Sequence, residues 1–301
     1  MMDALAYTLH HINDFKSLIR DCNNILLQYR KPGMKIEWKE DARGRKSPVT
    51  DADITVNDKI CKFIEEINVR LAKNGFKYII VAEENEPEAS KSRFDDDVDG
   101  VWFVDGLDGT SDFIDLDNES ATYTCGNIGL AVRERDHEGN LTGFRPVFGI
   151  FSNTPAEVIY WGHKYAGSYL VTPTGVESRV LLPSLSHKID FSKPKTYRIA
   201  ISGKHCNKAT TDFLKTNFIH GYKCFSSGSS VKVAMVSSGL VDIYPRLGPT
   251  MEWDICAAHA FHRFAGGRIV EYNPQLVSTP EKMRDLEYNK PDLYNPFFLV
   301  F

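Results

Sequence analysis

The sequence predicts an α/β protein, with helices and strands mixed in its first half (α+β) and alternating in its second. Three observations carry this. Apolar residues at Leu5, Leu9, Ile12, Phe15, Ile19, Cys22, Leu26 and Tyr29 recur at helical spacing. Between Cys125 and Thr172 several β-rich runs follow one another with turn residues between them. Beyond about residue 195, strand-like and helix-like runs alternate.

The chain has 301 residues, enough for a sizeable core in one large domain or two intimate halves. A formal net charge of -4 and ordinary composition give no nucleic-acid or membrane surface. No basic segment followed by an apolar run opens the chain, and no apolar run approaches the ~18 residues of a membrane span. The six cysteines (Cys22, Cys61, Cys125, Cys206, Cys224, Cys256) are scattered and suit a reduced compartment, with no thiolate zinc site. A cytoplasmic monomer that engages neither nucleic acid nor membrane is expected.

Taken in order, residues 3–30 read as a helix stopped by Pro32-Gly33. The charged stretch from Lys35 to Lys46 reads as a mobile hairpin or flap. Ser47-Pro48-Val49-Thr50-Asp51-Ala52-Asp53 leads into a helix from about Ile54 to Lys73, with Asp53 as its N-cap. Tyr78-Ile79-Ile80-Val81 is a strand ending in Ala82-Glu83-Glu84, a place where α/β sheets bind ligands. Asn85 to Asp99 is acidic and solvated. Its Asp95-Asp96-Asp97-Val98-Asp99-Gly100 imitates a calcium loop, but Gly106 stands where the closing Glu is required.

Trp102-Phe103-Val104-Asp105 runs as a buried strand into Gly106-Leu107-Asp108-Gly109-Thr110. Two carboxylates three residues apart over a tight backbone turn suit a hard divalent cation, and a helix starting near Thr110 would offer N–H groups to a phosphate. An acidic turn explains the same residues more simply. Strands follow at 125–133, 147–153, 157–162 and 168–172, with turns such as Glu138-Gly139-Asn140 and Thr174-Gly175. The best boundary is Lys188 to Lys195. Then come a strand (198–202), a helix (207–220), a short strand, a helix (229–238) and a strand (241–244). A helix over Glu252–Phe264, a strand at 268–271 and a closing strand at 297–301 complete the chain. Asp254 lies in the first turn of that late helix, where the helix dipole alone would favour it.

The Asp53 segment, Glu83-Glu84, the Asp105–Thr110 loop and Trp253-Asp254 stand in the order and spacing of the inositol-monophosphatase-like superfamily of metal-dependent phosphatases. Asp105-Gly106-Leu107-Asp108-Gly109-Thr110 resembles its Asp-Pro-(Ile/Leu)-Asp-Gly-Thr signature. Trp253-Asp254-Ile255-Cys256-Ala257 resembles its Trp-Asp-x-Ala-(Ala/Gly) signature. The likeness runs from about Ser47 to the C-terminus and is greatest to the 3'(2'),5'-bisphosphate nucleotidases of the CysQ type. Ile201-Ser202-Gly203-Lys204-His205, Gly228-Ser229-Ser230-Val231-Lys232, Tyr244-Pro245-Arg246-Leu247-Gly248-Pro249 and Asn295-Pro296-Phe297 carry that closer likeness.

The resemblance implies a five-layered αβαβα sandwich of the inositol monophosphatase/fructose-1,6-bisphosphatase type. Residues 1–190 would supply the main metal motifs and 191–301 would complete the metal and nucleotide site. It implies a Mg²⁺-dependent phosphomonoesterase turning 3'-phosphoadenosine 5'-phosphate into AMP and phosphate. Glu83, Asp105, the Leu107 carbonyl, Asp108 and Asp254 would hold Mg²⁺, two to three ions in all, with Mn²⁺ able to substitute and Li⁺ inhibiting. Glu83, Thr110 and Asp53 would be catalytic: Thr110 hydrogen-bonds the attacking water, and Asp53 accepts its proton and helps with a further ion. Asp108, Gly109, Thr110, Ser202, His205, Ser229, Lys232, Arg246 and Asp254 would contact the substrate. An inositol polyphosphate 1-phosphatase, or an enzyme accepting both substrates, shares the same metal site. A non-catalytic binding protein would be expected to lack one of these groups, and all are present. Gly106 replaces the signature's Pro, and Gly106→Pro is expected to keep activity and gain up to about 1 kcal/mol.

Overall fold

The N-terminal periodicity forms two helices, α1 (Ala4–His10) and α2 (Ile12–Tyr29), where one was expected. The break falls at His11, whose ring nitrogen pairs with Asp14 in the next turn at 2.8 Å. This computed structural model describes residues 3–40, 43–85, 92–135, 138, 141–182, 195–203 and 207–301. The turn at Gly139-Asn140, residues 86–91 of the acidic loop, and the expected boundary except Lys195 lie outside the described residues.

The charged stretch is an antiparallel hairpin of β1 (Ile36–Glu40) and β2 (Lys46–Thr50). It feeds directly into α3 (Asp51–Ala72). A seven-stranded sheet follows, ordered β3 (Tyr78–Ala82), β4 (Gly100–Asp108), β5 (Thr124–Arg135), β6 (Leu141–Asn153), β7 (Val158–His163), β8 (Gly167–Val171) and β9 (Glu177–Val180). Only the β3–β4 pair is parallel. The short helix α4 (Thr110–Phe113) interrupts the meander after β4. Strand β9 was not expected, because Glu177–Val180 is largely exposed and lacks an apolar alternation.

The second half holds β10 (Tyr197–Ser202), α5 (Lys208–Asn217), β11 (Tyr222–Ser227), α6 (Val231–Ser237), β12 (Tyr244–Arg246), α7 (Glu252–Phe264), β13 (Ile269–Glu271) and β14 (Phe298–Val300). β10 and β11 pair in parallel, and β14 lies between β12 and β13. An Ile199–Ile243 bridge joins the two groups.

Alternating residues of β4 serve two cores. Trp102 and Val104 pack with Phe15 of α2 and Ile60 of α3, whereas Val101 and Phe103 pack with α6 and α7. A third core sets Phe213 and Leu214 of α5 against Ile199, Ile243, Val270 and Leu299. The layers are therefore α1–α3, the seven-stranded sheet, α6–α7, the second set of strands, and α5. That is the αβαβα order. Each fully buried aromatic such as Trp102 or Phe148 contributes on the order of 2–3 kcal/mol.

Helix α7 lies unusually close to the sheet because glycines face it from three neighbouring strands. Gly129, Gly149 and Gly162 are register partners across β5, β6 and β7. A Cβ on any of them would stand 2.7 Å from α7 backbone: the Ala257 nitrogen, the Ala257 Cα and the Phe261 nitrogen respectively. The small residues after Asp254 meet this glycine track, so the first turn of α7 is carried to the end of β4. Among the described residues, no helix is long and apolar enough to cross a membrane.

Candidate active site

The parallel strands β3 and β4 run side by side, with Ala82 at the end of β3 opposite Val104, and β4 continues to Asp108. Glu83 opens the 3-10 turn that directly follows β3, and Asp105 and Asp108 lie in the last residues of β4. Asp254 arrives from the first turn of α7. One carboxylate oxygen from each of Glu83, Asp105 and Asp254 falls within 4.8 Å of the others. Asp108 stands beside this trio, its Oδ2 accepting from the Ser230 backbone N–H at 2.9 Å.

The cluster carries more negative charge than its surroundings balance. Burial, and then the charges of Glu83, Asp108 and Asp254, hold the Asp105 carboxyl well above the ordinary range. Burial, Asp108 and Glu83 push Asp254 up to about 8. Burial raises Glu83 as well, with Lys39 opposing it. Asp105 Oδ1 accepts from the Leu107 N–H at 2.9 Å, but Oδ2 is buried without a hydrogen-bond partner. An acceptor orphaned in this way costs about 1–3 kcal/mol, which a bound cation would remove. Oxygen donors without imidazole or thiolate suit a hard ion of the Mg²⁺ kind. The residues present fit that ion.

Asp53 is placed differently from expectation. Thr50 is the N-cap of α3, its Oγ1 accepting from the Ala52 N–H at 3.2 Å. Asp53 is the third helical residue, and its Oδ2 accepts from the Thr50 N–H at 2.7 Å and the Thr50 hydroxyl at 2.6 Å. This reciprocal cap fixes the carboxylate while Oδ1 accepts from Thr110 Oγ1 at 2.8 Å. Burial raises the Asp53 carboxyl, and Glu84 adds to the rise. Gly109, at φ +98°, turns the chain so that Thr110 begins α4 facing Asp53.

Gly106 overturns its expectation. An ideal Cβ there would meet the Asn57 backbone nitrogen at 2.9 Å and the Asp53 carbonyl at 3.1 Å. Helix α3 occupies the space a proline ring would need.

Around Asp108 the second half supplies basic groups. Lys232 is buried, and its Nζ donates to the carbonyls of Ser227 at 3.1 Å and Ser229 at 2.8 Å. Burial lowers it to about 7, with Arg246 assisting and Asp108 opposing. Ser229 adopts φ +42°, and its buried Oγ has no hydrogen-bond partner. Arg246 Nη2 donates to the Pro249 carbonyl at 2.7 Å, and its Nε is buried without a partner. Ser202, Tyr244 and Arg246 line one small cleft. His205 lies outside the described residues.

Two residues outside the expected set matter. Lys39 of the hairpin reaches Glu83 Oε1 at 2.7 Å and Glu84 Oε1 at 2.6 Å. Ser230 joins the two halves, its N–H on Asp108 and its hydroxyl on the Asp254 carbonyl at 2.6 Å. Nothing in local sequence marks Lys39, whereas Ser230 sits in a segment that sequence reads as a plain helix start.

The family model described as the inositol monophosphatase family matches residues 10–294. The chain belongs to the inositol monophosphatase family. Among its relatives, the 3'(2'),5'-bisphosphate nucleotidase CysQ of Salmonella typhimurium is 26% identical over 267 residues, spanning 86% of this chain and 92% of the relative. The crystal structure of CysQ from Bacteroides thetaiotaomicron, a bacterial member of the inositol monophosphatase family, aligns with a TM-score of 0.66 at 26% identity, covering 95% of this chain and 96% of that one. Staphylococcal IMPase-II shares the fold at a TM-score of 0.61 and 17% identity, covering 96% of this chain and 89% of its own. In this inositol monophosphatase family chain, the glycine track lets α7 lie close to the sheet, and Asp254 Oδ2 accepts from the Met251 N–H at 2.8 Å in the first turn of that helix.

Proposed function

We propose that this chain is a Mg²⁺-dependent phosphomonoesterase that hydrolyses 3'-phosphoadenosine 5'-phosphate to AMP and phosphate. The observation that supports it most is the carboxylate trio of Glu83, Asp105 and Asp254 beside the Thr110–Asp53 hydrogen bond. Glu83, Asp105, Asp254, Asp108 and the Leu107 carbonyl would hold the cations. When bound, these supply Lewis-acid polarisation of the phosphoryl oxygens and a more acidic water.

The remaining steps belong to the protein. Thr110 has one hydroxyl hydrogen, and it is directed at Asp53 Oδ1. Its oxygen lone pairs are then left to accept from a water, whose own lone pair faces phosphorus. As that water attacks, the bond between phosphorus and the ribose 3' oxygen breaks; the water's proton passes to Thr110 Oγ1, the Thr110 proton passes to Asp53 Oδ1, and the departing 3' oxygen takes a proton from solvent. Burial makes Asp53 a better base than an exposed carboxylate, which favours the transfer. No covalent phosphoenzyme is required.

Arg246 and Lys232, whose charges act on Asp108, would hold a second, non-reacting phosphate. Ser202, Ser229, Gly109 and His205 complete the proposed nucleotide contacts. A phosphate dianion there would keep the Lys232 ammonium charged. The Salmonella relative carries the name 3'(2'),5'-bisphosphate nucleotidase, which supports the nucleotide over inositol bisphosphates.

The test is phosphate release from 3'-phosphoadenosine 5'-phosphate and from inositol 1,4-bisphosphate, each with Mg²⁺ and again with added Li⁺. Faster release from the nucleotide, suppressed by Li⁺, is expected. Faster release from the inositol substrate would reassign the specificity, and release from neither would remove the proposal.

A further inference from the structure

Lys39 and the cation contend for the same carboxylate, that of Glu83. Its Nζ lies 2.7 Å from Glu83 Oε1, on a carboxylate that is one of the trio within 4.8 Å of each other. A second grip on Glu84 at 2.6 Å holds the ammonium in place. An ammonium and a divalent ion placed on one carboxylate repel each other strongly inside a partly buried site.

The hairpin carrying Lys39 is anchored elsewhere. Arg43 pairs with Asp292 at 3.0 Å and stacks 3.5 Å from the Tyr294 ring centre. Lys39 can therefore withdraw its side chain while the hairpin stays docked. We propose that Lys39 is a built-in, displaceable counter-ion that weakens and tunes divalent-cation binding at Glu83, leaving the carboxylates when the cation arrives. This rests on the proposed cation site and adds to it a residue that sets the site's affinity. By linkage, whatever Lys39 costs the cation, the cation costs Lys39. Substrate-free protein is thereby held in a low-affinity state in which the excess negative charge is partly neutralised.

The experiment uses the full chain stripped of metal and titrated calorimetrically with Mg²⁺, as wild type, Lys39→Met, Lys39→Arg and Glu83→Gln. In parallel, lysine acylation is followed by mass spectrometry without and with saturating Mg²⁺. Lys39→Met is expected to bind Mg²⁺ about tenfold tighter or more, and Lys39→Arg close to wild type. Saturating Mg²⁺ is expected to raise acylation of Lys39 several-fold and to leave that of the exposed Lys35 unchanged. Equal or weaker binding by Lys39→Met, or no rise in Lys39 acylation, would overturn the inference while a loss of binding in Glu83→Gln kept the cation site. Wild-type affinity in Glu83→Gln, or no Mg²⁺ binding by any form, would remove the cation site itself and this inference with it.

Discussion

Thr110 Oγ1 donates to Asp53 Oδ1 at 2.8 Å across 57 residues of sequence. The bond exists because Asp53 is immobilised by the cap of α3 while Gly109 turns Thr110 toward it. Removing the hydroxyl leaves the carboxylate in place and a water without its acceptor. Thr110→Ala is therefore expected to lose about 10²–10⁴-fold in kcat with little change in KM, and Thr110→Ser to keep most activity. Steady-state kinetics alongside circular dichroism check this. Wild-type turnover by a folded Thr110→Ala protein would exclude the relay.

Cation binding should release protons. Asp254 is pushed up to about 8, so at pH 7 its carboxyl in the metal-free cluster is largely protonated, and Asp105 is raised in the same direction. A cation requires the carboxylate form, so affinity should rise with pH and level off above about 8. Mg²⁺ titrations at pH 6.5 to 9, in buffers of different ionisation enthalpy, measure this directly. Asp254→Asn should release fewer protons. Binding that is independent of pH would mean the cluster is already ionised.

Gly106→Pro and Gly106→Ala are expected to destabilise by about 1–3 kcal/mol, because the added Cβ meets α3 backbone that a side-chain rotation cannot clear. The shift of Asp53 that follows should lower kcat too. Chemical denaturation gives the stability term. An unchanged or higher midpoint would show that α3 can retreat at no cost.

The glycine track makes a separate prediction. Gly149→Ala must lift α7 from the sheet, since its Cβ would stand 2.7 Å from the Ala257 Cα. Asp254 should move with the helix, weakening Mg²⁺ about tenfold or more besides reducing stability. Calorimetric titration of the folded variant separates the two effects. Unchanged Mg²⁺ affinity would mean that Asp254 is positioned by its own turn alone.

What could be read in advance follows from the range of the interactions. Asp105, Asp108 and Thr110 fall within six consecutive residues, at the end of β4 and the start of α4, and Glu252–Phe264 has the apolar spacing of a helix, so local pattern pointed to both. The meeting of Asp254 with that loop was legible only through resemblance to a family. Physically it depends on Gly129, Gly149 and Gly162, whose alignment exists only once three strands are in register. Lys39 could not be found because its acceptors lie 44 and 45 residues away and its own neighbourhood reads as a solvated hairpin. Gly106 misled for the same reason: a signature proline suggests tolerance, and only the position of Asn57 shows the space to be filled.

The central claim is that carboxylates from both halves of the chain share a cation. Crystals of the protein soaked in Mn²⁺ and measured at the manganese absorption edge test it most directly. An anomalous peak in contact with oxygens of Glu83, Asp105 and Asp254 is predicted, with Lys39 Nζ withdrawn from Glu83. No peak among these three carboxylates at saturating Mn²⁺, with Asp254 held away from Asp105, would contradict it.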